Sequence, residues 1–329
     1  MVGGVAPSEL LHHAVDRSVL TQHEGRSGAR LEHVRLADGS AYIVKRVTPA
    51  TDLTLALTGG TVSPEYRLWR SGALDRLPPG VDHAVVDGWV EGDTTVIVMN
   101  DLSDKVLTWG SCLSTSQTDW MLARVAAMHR RFLGSPPHEV VPLERVLTIF
   151  APDRIRGLAE EGNELAGLAC RGWEIFAQTV PADVAGPVLV LLQDPVPLVA
   201  ALNAGPVTLA HGDLATVNMA RDADSLVLLD WALATAAPGA LDVAWLLAGC
   251  SSVLEPSREH VLGTYAGLAG SAYDLGSMRL ALLAGLLWLG WNKALDMAEH
   301  PDRAKRERER RDLDWWVREA RETLESGAL

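Results

Sequence analysis

From about Val19 to Asn100 the chain alternates apolar and polar positions in short runs, the period-two pattern of half-buried strands. SVLTQHEG, RLEHVRLADG, AYIVKRV, AVVDGWVEGD and TTVIVMND are rich in Val, Ile and Thr and are bounded by turn signals. Asp38-Gly39 predicts a tight hairpin between the second and third runs, and Gly92-Asp93 one between the fourth and fifth. Between the third and fourth, SPEYRLWRSGALDRLPPG predicts a helix starting at Ser63 with Pro64 in its first position and stopped by Pro78-Pro79-Gly80. Two antiparallel hairpins around one helix make a small α+β unit.

The period changes after Asn100. TDWMLARVAAMHRRFLG carries apolar residues at helical spacing, with a cap at Thr118 or Asp119 and a stop at Gly134. Segments 142–179 and 188–203 also read as helical. VTLAHGDL and SLVLLDWA look like short strands around a loop, and from Ala240 onward the pattern is mostly helix. There are no repeats and no low-complexity linker. The expected organisation is therefore two packed lobes, 1–100 and 101–329. The most apolar stretch, MRLALLAGLLWLGWNKALDM, has its uncharged run cut to thirteen residues by Arg279 and Lys293. That reads as a buried helix, too short to span a bilayer. RAKRERERR reads as a solvated helical face, and Trp315 and Trp316 after it as the docking side of the last helix.

Charge and composition add limits to this picture. The net charge of −13 over 329 residues argues against non-specific binding to nucleic acid or to an anionic membrane. Three well-separated cysteines, Cys112, Cys170 and Cys250, form no metal spacing and suit a reducing compartment. The first residues lack a basic segment followed by an apolar one, so no secretory signal is read there. A soluble, cytoplasmic protein is expected.

The candidate chemistry lies in residues 209–234, LAHGDLATVNMARDADSLVLLDWALA. Phosphoryl transfer from a nucleoside triphosphate needs metal ligands, a cation for the phosphates that stay behind, and an acceptor hydroxyl held in line. Asp and Asn supply the hard oxygens that Mg²⁺ takes in small number. A carboxylate beside the acceptor hydroxyl can orient it and receive its proton. His211-Gly212-Asp213-Leu214, then Asn218, then Asp230 give the order carboxylate, amide, turn, strand, carboxylate.

This order resembles the catalytic loop and metal-binding segment of the aminoglycoside phosphotransferase family, relatives of the protein kinases, whose pattern is H-G-D-[LX]-x-x-x-N followed by [IL]-D-[WFL]. The resemblance implies a bilobal protein-kinase-like α+β fold, with a small antiparallel-sheet N-lobe for nucleotide and a larger, mainly helical C-lobe for catalysis and acceptor. It implies Asp213 as catalytic base or orienter, and Asn218 and Asp230 as Mg²⁺ ligands. His211 would prop the loop. Asp242, in ALDVAWLLAG, matches a family Asp that steadies the loop; a plain N-cap is the other reading.

Such a kinase also needs a third-strand lysine, a partner glutamate on the next helix and a loop over the phosphates. Lys45 in AYIVKRV and Glu65 in SPEYRLW fill the first two places, with Arg46 on the opposite face. The loop HEGRSGARLE lacks G-x-G-x-x-G, and Ser27 and Gly28 are its candidate phosphate contacts. The resemblance places Met99 behind the purine, with the Asn100 carbonyl and the Leu102 N–H at its edge, for ATP or GTP. The acceptor pocket is expected from 142–203 and 255–329, with Trp231, Trp288, Trp291, Asp296 and Glu299 as candidate surroundings.

The function expected is O-phosphorylation of an antibiotic or related natural product, conferring resistance by inactivation. The alternatives are a metabolite kinase of sugar, choline or homoserine type, and a nucleotide-binding pseudokinase regulator. Retention of Lys45, Asp213, Asn218 and Asp230 speaks against the last. The absence of D-F-G and A-P-E segments speaks against a protein kinase.

Overall fold

The computed structural model describes residues 9–21 and 28–329. Its first part is built on β1 (Ala14–Val19), β2 (Arg30–Leu36) and β3 (Ala41–Val47), followed by α1 (Leu53–Thr58) and α2 (Pro64–Arg70). Then come β4 (Val81–His83), β5 (Val85–Glu91) and β6 (Thr94–Asn100). Five of these strands form one antiparallel sheet in the order β1-β2-β3-β6-β5. One face buries Val34, Leu36, Val44, Trp89, Val96 and Val98 under Leu11. Alternation along β3 turns Lys45 to the other face.

Three features of this part differ from the sequence expectation. The first strand runs from Ala14, earlier than SVLTQHEG suggested, because its partner register is fixed by β2 from Val19↔Glu32 to Ala14↔Leu36. A second helix, α1, precedes α2; Asp52 caps it by accepting the Leu55 N–H at 2.8 Å. Its Leu-Thr alternation hid the helix from a period-based reading. The helix expected to reach Pro78 stops at Arg70, and Leu74–Arg76 forms a separate 3₁₀ turn.

The second part begins with α3 (Thr115–Phe132), α4 (Leu143–Leu147), α5 (Pro152–Glu160), α6 (Glu164–Thr179), α7 (Ala182–Gln193) and α8 (Val196–Asn203). The α3 cap is Ser114, four residues before the expected Thr118, with Gln117 completing a capping box. Four short strands follow: β7 (Val207–Ala210), β8 (Met219–Asp222), β9 (Ser225–Leu228) and β10 (Thr235–Pro238). The chain then closes with α9 (Ala240–Cys250), α10 (Arg258–Ala269), α11 (Leu275–Glu299) and α12 (Arg303–Glu325). β10 pairs with β7, and β8 with β9, both antiparallel. β4 pairs in parallel with β9, so a strand from the first part is built into the second.

α11 explains the apolar run 278–297. Helices α6, α9 and α12 pack around it, so most of its residues are buried on more than one side. The approach of α6 is close enough to require Gly172, where a Cβ would stand 2.3 Å from the Trp291 carbonyl oxygen. Trp316 is fully buried on the docking side of α12. Among the described residues, no single helix is long and apolar enough to cross a membrane.

Candidate active site

The loop after β7 is shaped by one residue of the next helix. Asp242, in the first turn of α9, accepts the backbone N–H groups of His211 at 2.7 Å and Gly212 at 2.9 Å. It makes no N-cap; its other partner is His129 Nε2 at 3.0 Å, whose Nδ1 lies 2.8 Å from the Tyr265 hydroxyl. Burial works against the Asp242 charge, yet these bonds hold its carboxyl below the usual range. Gly212 has φ +79°, and a Cβ there would sit 1.9 Å from the Leu233 carbonyl oxygen, so the turn takes no larger residue.

His211 ties this loop to the strand that carries Asp230. Its Nε2 donates to the Leu229 carbonyl at 2.9 Å, and its ring packs 4.7 Å from that of Trp231. Burial lowers its pKa, so the imidazole is neutral. Trp231 is fully buried beneath it, in the core and outside the lining of the cavity that Asp213 faces.

Asp213, Asn218 and Asp230 line one wall of a common cavity. The Asn218 amide N–H₂ donates to the Asp213 backbone carbonyl and to its Oδ2, each at 2.9 Å, which leaves the amide oxygen to face elsewhere. Asp230 is held at φ 59° and ψ 66°, a left-handed conformation uncommon for a residue with a side chain and frequent at functional sites. Its Oδ1 accepts from Lys45 Nζ at 2.8 Å, and Lys45 also donates to Glu65 Oε2 at 2.9 Å. Burial opposes the Lys45 charge, but Asp230 and Glu65 hold the ammonium above its usual pKa. One lysine of the sheet thus reaches a carboxylate of the helical part.

Burial, and then the negative charge of Asp230, push Asp213 up to about 7. Lys45 neutralises Asp230 directly but leaves these two carboxylates facing a shared excess of negative charge. The Asp230 carboxylate and the Asn218 amide oxygen form a hard, oxygen-only donor set that suits Mg²⁺, which takes few protein ligands. Among the described residues no group of three or more His, Cys, Asp or Glu side chains forms a metal cluster.

Of the proposed nucleotide contacts, Met99 is partly buried beside Leu102 and against Ala84, Ala220 and Val227. Asn100 ends β6 and is exposed, its N–H donating to the Ala84 carbonyl at 2.8 Å. Leu102 is buried, and its carbonyl accepts from Lys105 and Val106. Gly28 has φ +94°, and a Cβ there would lie 2.0 Å from the Thr51 carbonyl oxygen. Ser27 lies outside the described residues.

The cavity beyond Asp213 measures about 1100 Å³ and is walled by α1, α6, α9, α11, α12 and the start of α10. Trp288, Trp291 and Asp296 line it as anticipated, whereas Glu299 pairs with Arg171 outside it at 2.8 Å. Helices α7 and α8 contribute nothing to the lining, and α9 and Trp109 contribute where none was expected. Sequence reasoning also missed His129 and Tyr265, whose link to Asp242 spans distant elements. Lys293 did carry a signal, a cation that ends the thirteen-residue uncharged run of α11.

The sequence model of the phosphotransferase enzyme family (APH) matches residues 109–280. No curated protein matches the sequence. Among solved structures, choline kinase LicA from Streptococcus pneumoniae superposes with a TM-score of 0.54 at 12% identity, over 94% of this chain and 95% of that one. An aminoglycoside phosphotransferase from Alicyclobacillus acidocaldarius gives 0.48 at 16% identity, over 98% and 95%. The aminoglycoside phosphotransferase APH(3'')-Id from Streptomyces rimosus, solved with ADP and streptomycin, gives 0.49 at 18% identity, over 80% and 94%.

Proposed function

The chain belongs to the APH phosphotransferase enzyme family, and on that premise we propose that it moves the γ-phosphate of ATP or GTP to a hydroxyl of a small natural product such as an antibiotic. The observation that carries this reading is the Lys45 bridge, which joins Glu65 to Asp230 in the cavity that Asp213 and Asn218 also line. In this reading Lys45 holds the phosphates that remain on the nucleotide, and Glu65 keeps that lysine extended. Asp213 orients the acceptor hydroxyl and accepts its proton, a task suited to a carboxylate whose pKa is raised to about 7. Asp230 and the Asn218 amide oxygen would hold Mg²⁺, which when bound supplies charge neutralisation for the phosphates. Met99 and the backbone at Asn100 and Leu102 would seat the purine, and Gly28 with Ser27 the phosphates. Asp242 and His211 keep the loop in register beneath Asp213. Inactivation of an antibiotic, and with it resistance, is the biological role that follows.

The test is direct. Purified protein is incubated with ATP or GTP, Mg²⁺ and a panel of antibiotics, sugars, choline and homoserine, and phosphorylated products are read by mass. Transfer to an antibiotic supports the reading. Transfer to a primary metabolite alone replaces it with a metabolite kinase, and tight nucleotide binding without transfer to any acceptor points to a regulator.

A further inference from the structure

The charge pattern of the cavity narrows the acceptor class, an inference that rests on the phosphotransferase reading. Away from Asp213 and Asp230, the lining holds four carboxylates, Glu259, Asp296, Glu309 and Asp312, and four cations, Arg258, Lys293, Lys305 and Arg308. Asp312 is ion-paired with both Arg258 and Lys293. Lys305 stands 2.8 Å from Asp296, and Glu309 lies 3.6 Å from Arg308 and 4.0 Å from Lys293. Glu259 is exposed at the start of α10, within the field of Arg258. Burial pulls Lys293 down to about 8, so it still carries its charge at neutral pH. A polycationic acceptor would have to displace these internal cations, and a cation left buried without its carboxylate is costly.

The remaining wall is aromatic. Trp245 stacks on Trp288 with centroids 5.1 Å apart, and Phe150 touches Trp288 and Trp291 at 5.7 and 5.5 Å. Trp173 fixes Phe150 by donating to its carbonyl at 2.7 Å. The indole N–H groups of Trp245 and Trp291 are shut away without partners among the described residues, so these rings show carbon to the cavity. Two more apolar side chains of the lining, Trp109 at 45% and Leu168 at 37% exposure, are open to solvent. The volume of about 1100 Å³ lies just above the usual range of small-molecule sites, ~300–1,000 Å³. It has room for more than a lone sugar or choline.

We propose that the acceptor is a hydroxylated molecule with a neutral, ring-bearing apolar body, seated against Phe150, Trp245, Trp288 and Trp291 with its hydroxyl at Asp213. Polyamines are disfavoured because Asp296, Glu309 and Asp312 are already ion-paired within the chain.

Calorimetry on the full-length protein with ATP analogue and Mg²⁺ tests this with three probes: naphthyl glucoside, neomycin and choline. The glucoside is expected to bind at least about tenfold more tightly than either cation, a difference of ~1.4 kcal/mol, at near-physiological salt. Trp109→Ala, an exposed change, weakens the glucoside several-fold. Lys305→Met frees Asp296 and raises neomycin affinity. Neomycin or choline binding as tightly as the glucoside, or no saturable binding of the glucoside, overturns the proposal. Product analysis with ATP separates the two readings. Phosphorylation of neomycin in preference to the glucoside defeats the charge inference alone; glucoside binding with no transfer to any hydroxyl tried defeats the phosphotransferase reading alone.

Discussion

Asp213 occupies a place that is unfavourable for a carboxylate, and that can be measured. Its folded pKa of about 7 lies above the ordinary carboxylate value of 3.8, so between those limits the folded state keeps a proton that the unfolded chain has released. Stability therefore declines as pH rises through that window, and the full cost stands above about 7. Asp213→Asn, free of nucleotide and metal, is expected to melt higher than wild type at pH 8, while transfer falls by ~10²–10⁴-fold. Thermal melts and ADP release check the two halves. Lys45 behaves in the opposite way, because Glu65 is 1% exposed and has Lys45 as its ion-pair partner. Lys45→Met should cost ~3–5 kcal/mol in denaturant titrations by stranding a buried charge. Adding Glu65→Met should restore much of that stability and none of the activity. A double variant no more stable than the single one would falsify this account. These residues were legible in the sequence because each sits in a short local pattern. Trp231 was not, since its place beneath His211 depends on a ring contact that adjacency to Asp230 does not reveal.

Elements were legible where a face repeats and illegible where a tertiary partner sets the boundary. The long helix α11 follows from its apolar run, and the pairing of β2 with β3 from alternation and turn chemistry. The strands β4, β8 and β10 are three or four residues long and take their conformation from partners elsewhere in the chain. The Ser114 cap was readable as S-x-x-Q but was masked by a stronger-looking Thr-Asp pair four residues on. The loop between β7 and β8 is steadied through His211, and it carries a pH signature. His211 is buried with its pKa below the ordinary imidazole value of 6.5, so below 6.5 the unfolded state binds the extra proton more readily. Stability is present above that pH and is lost as pH falls toward the folded value. The denaturation midpoint should fall as pH drops below 6.5, and His211→Asn should flatten that slope. A slope unchanged in the variant would assign it to another group.

For the whole molecule, the cavity beyond Asp213 is the least legible feature. Five helices, the start of α10, the segment after α4 and Trp109 each contribute, and only the packed fold brings Trp109, Phe150, Trp245 and Trp288 together. The phosphoryl end was readable because one loop and one strand hold it. The parallel pairing of Val81–His83 with Ser225–Leu228 has a consequence for how the molecule is made. During synthesis β4 leaves the ribosome with its partner still untranslated, so the sheet part waits for most of the chain before its last seam can close. A fragment ending at Asn100 is therefore expected to show weaker amide protection at residues 81–83 than the intact protein, measurable by hydrogen exchange. Supplying residues 101–329 in trans should restore that protection. Joining the two parts by a woven strand makes residue 100 a poor place to cut, and a chimera that exchanges either part would have to carry that seam with it.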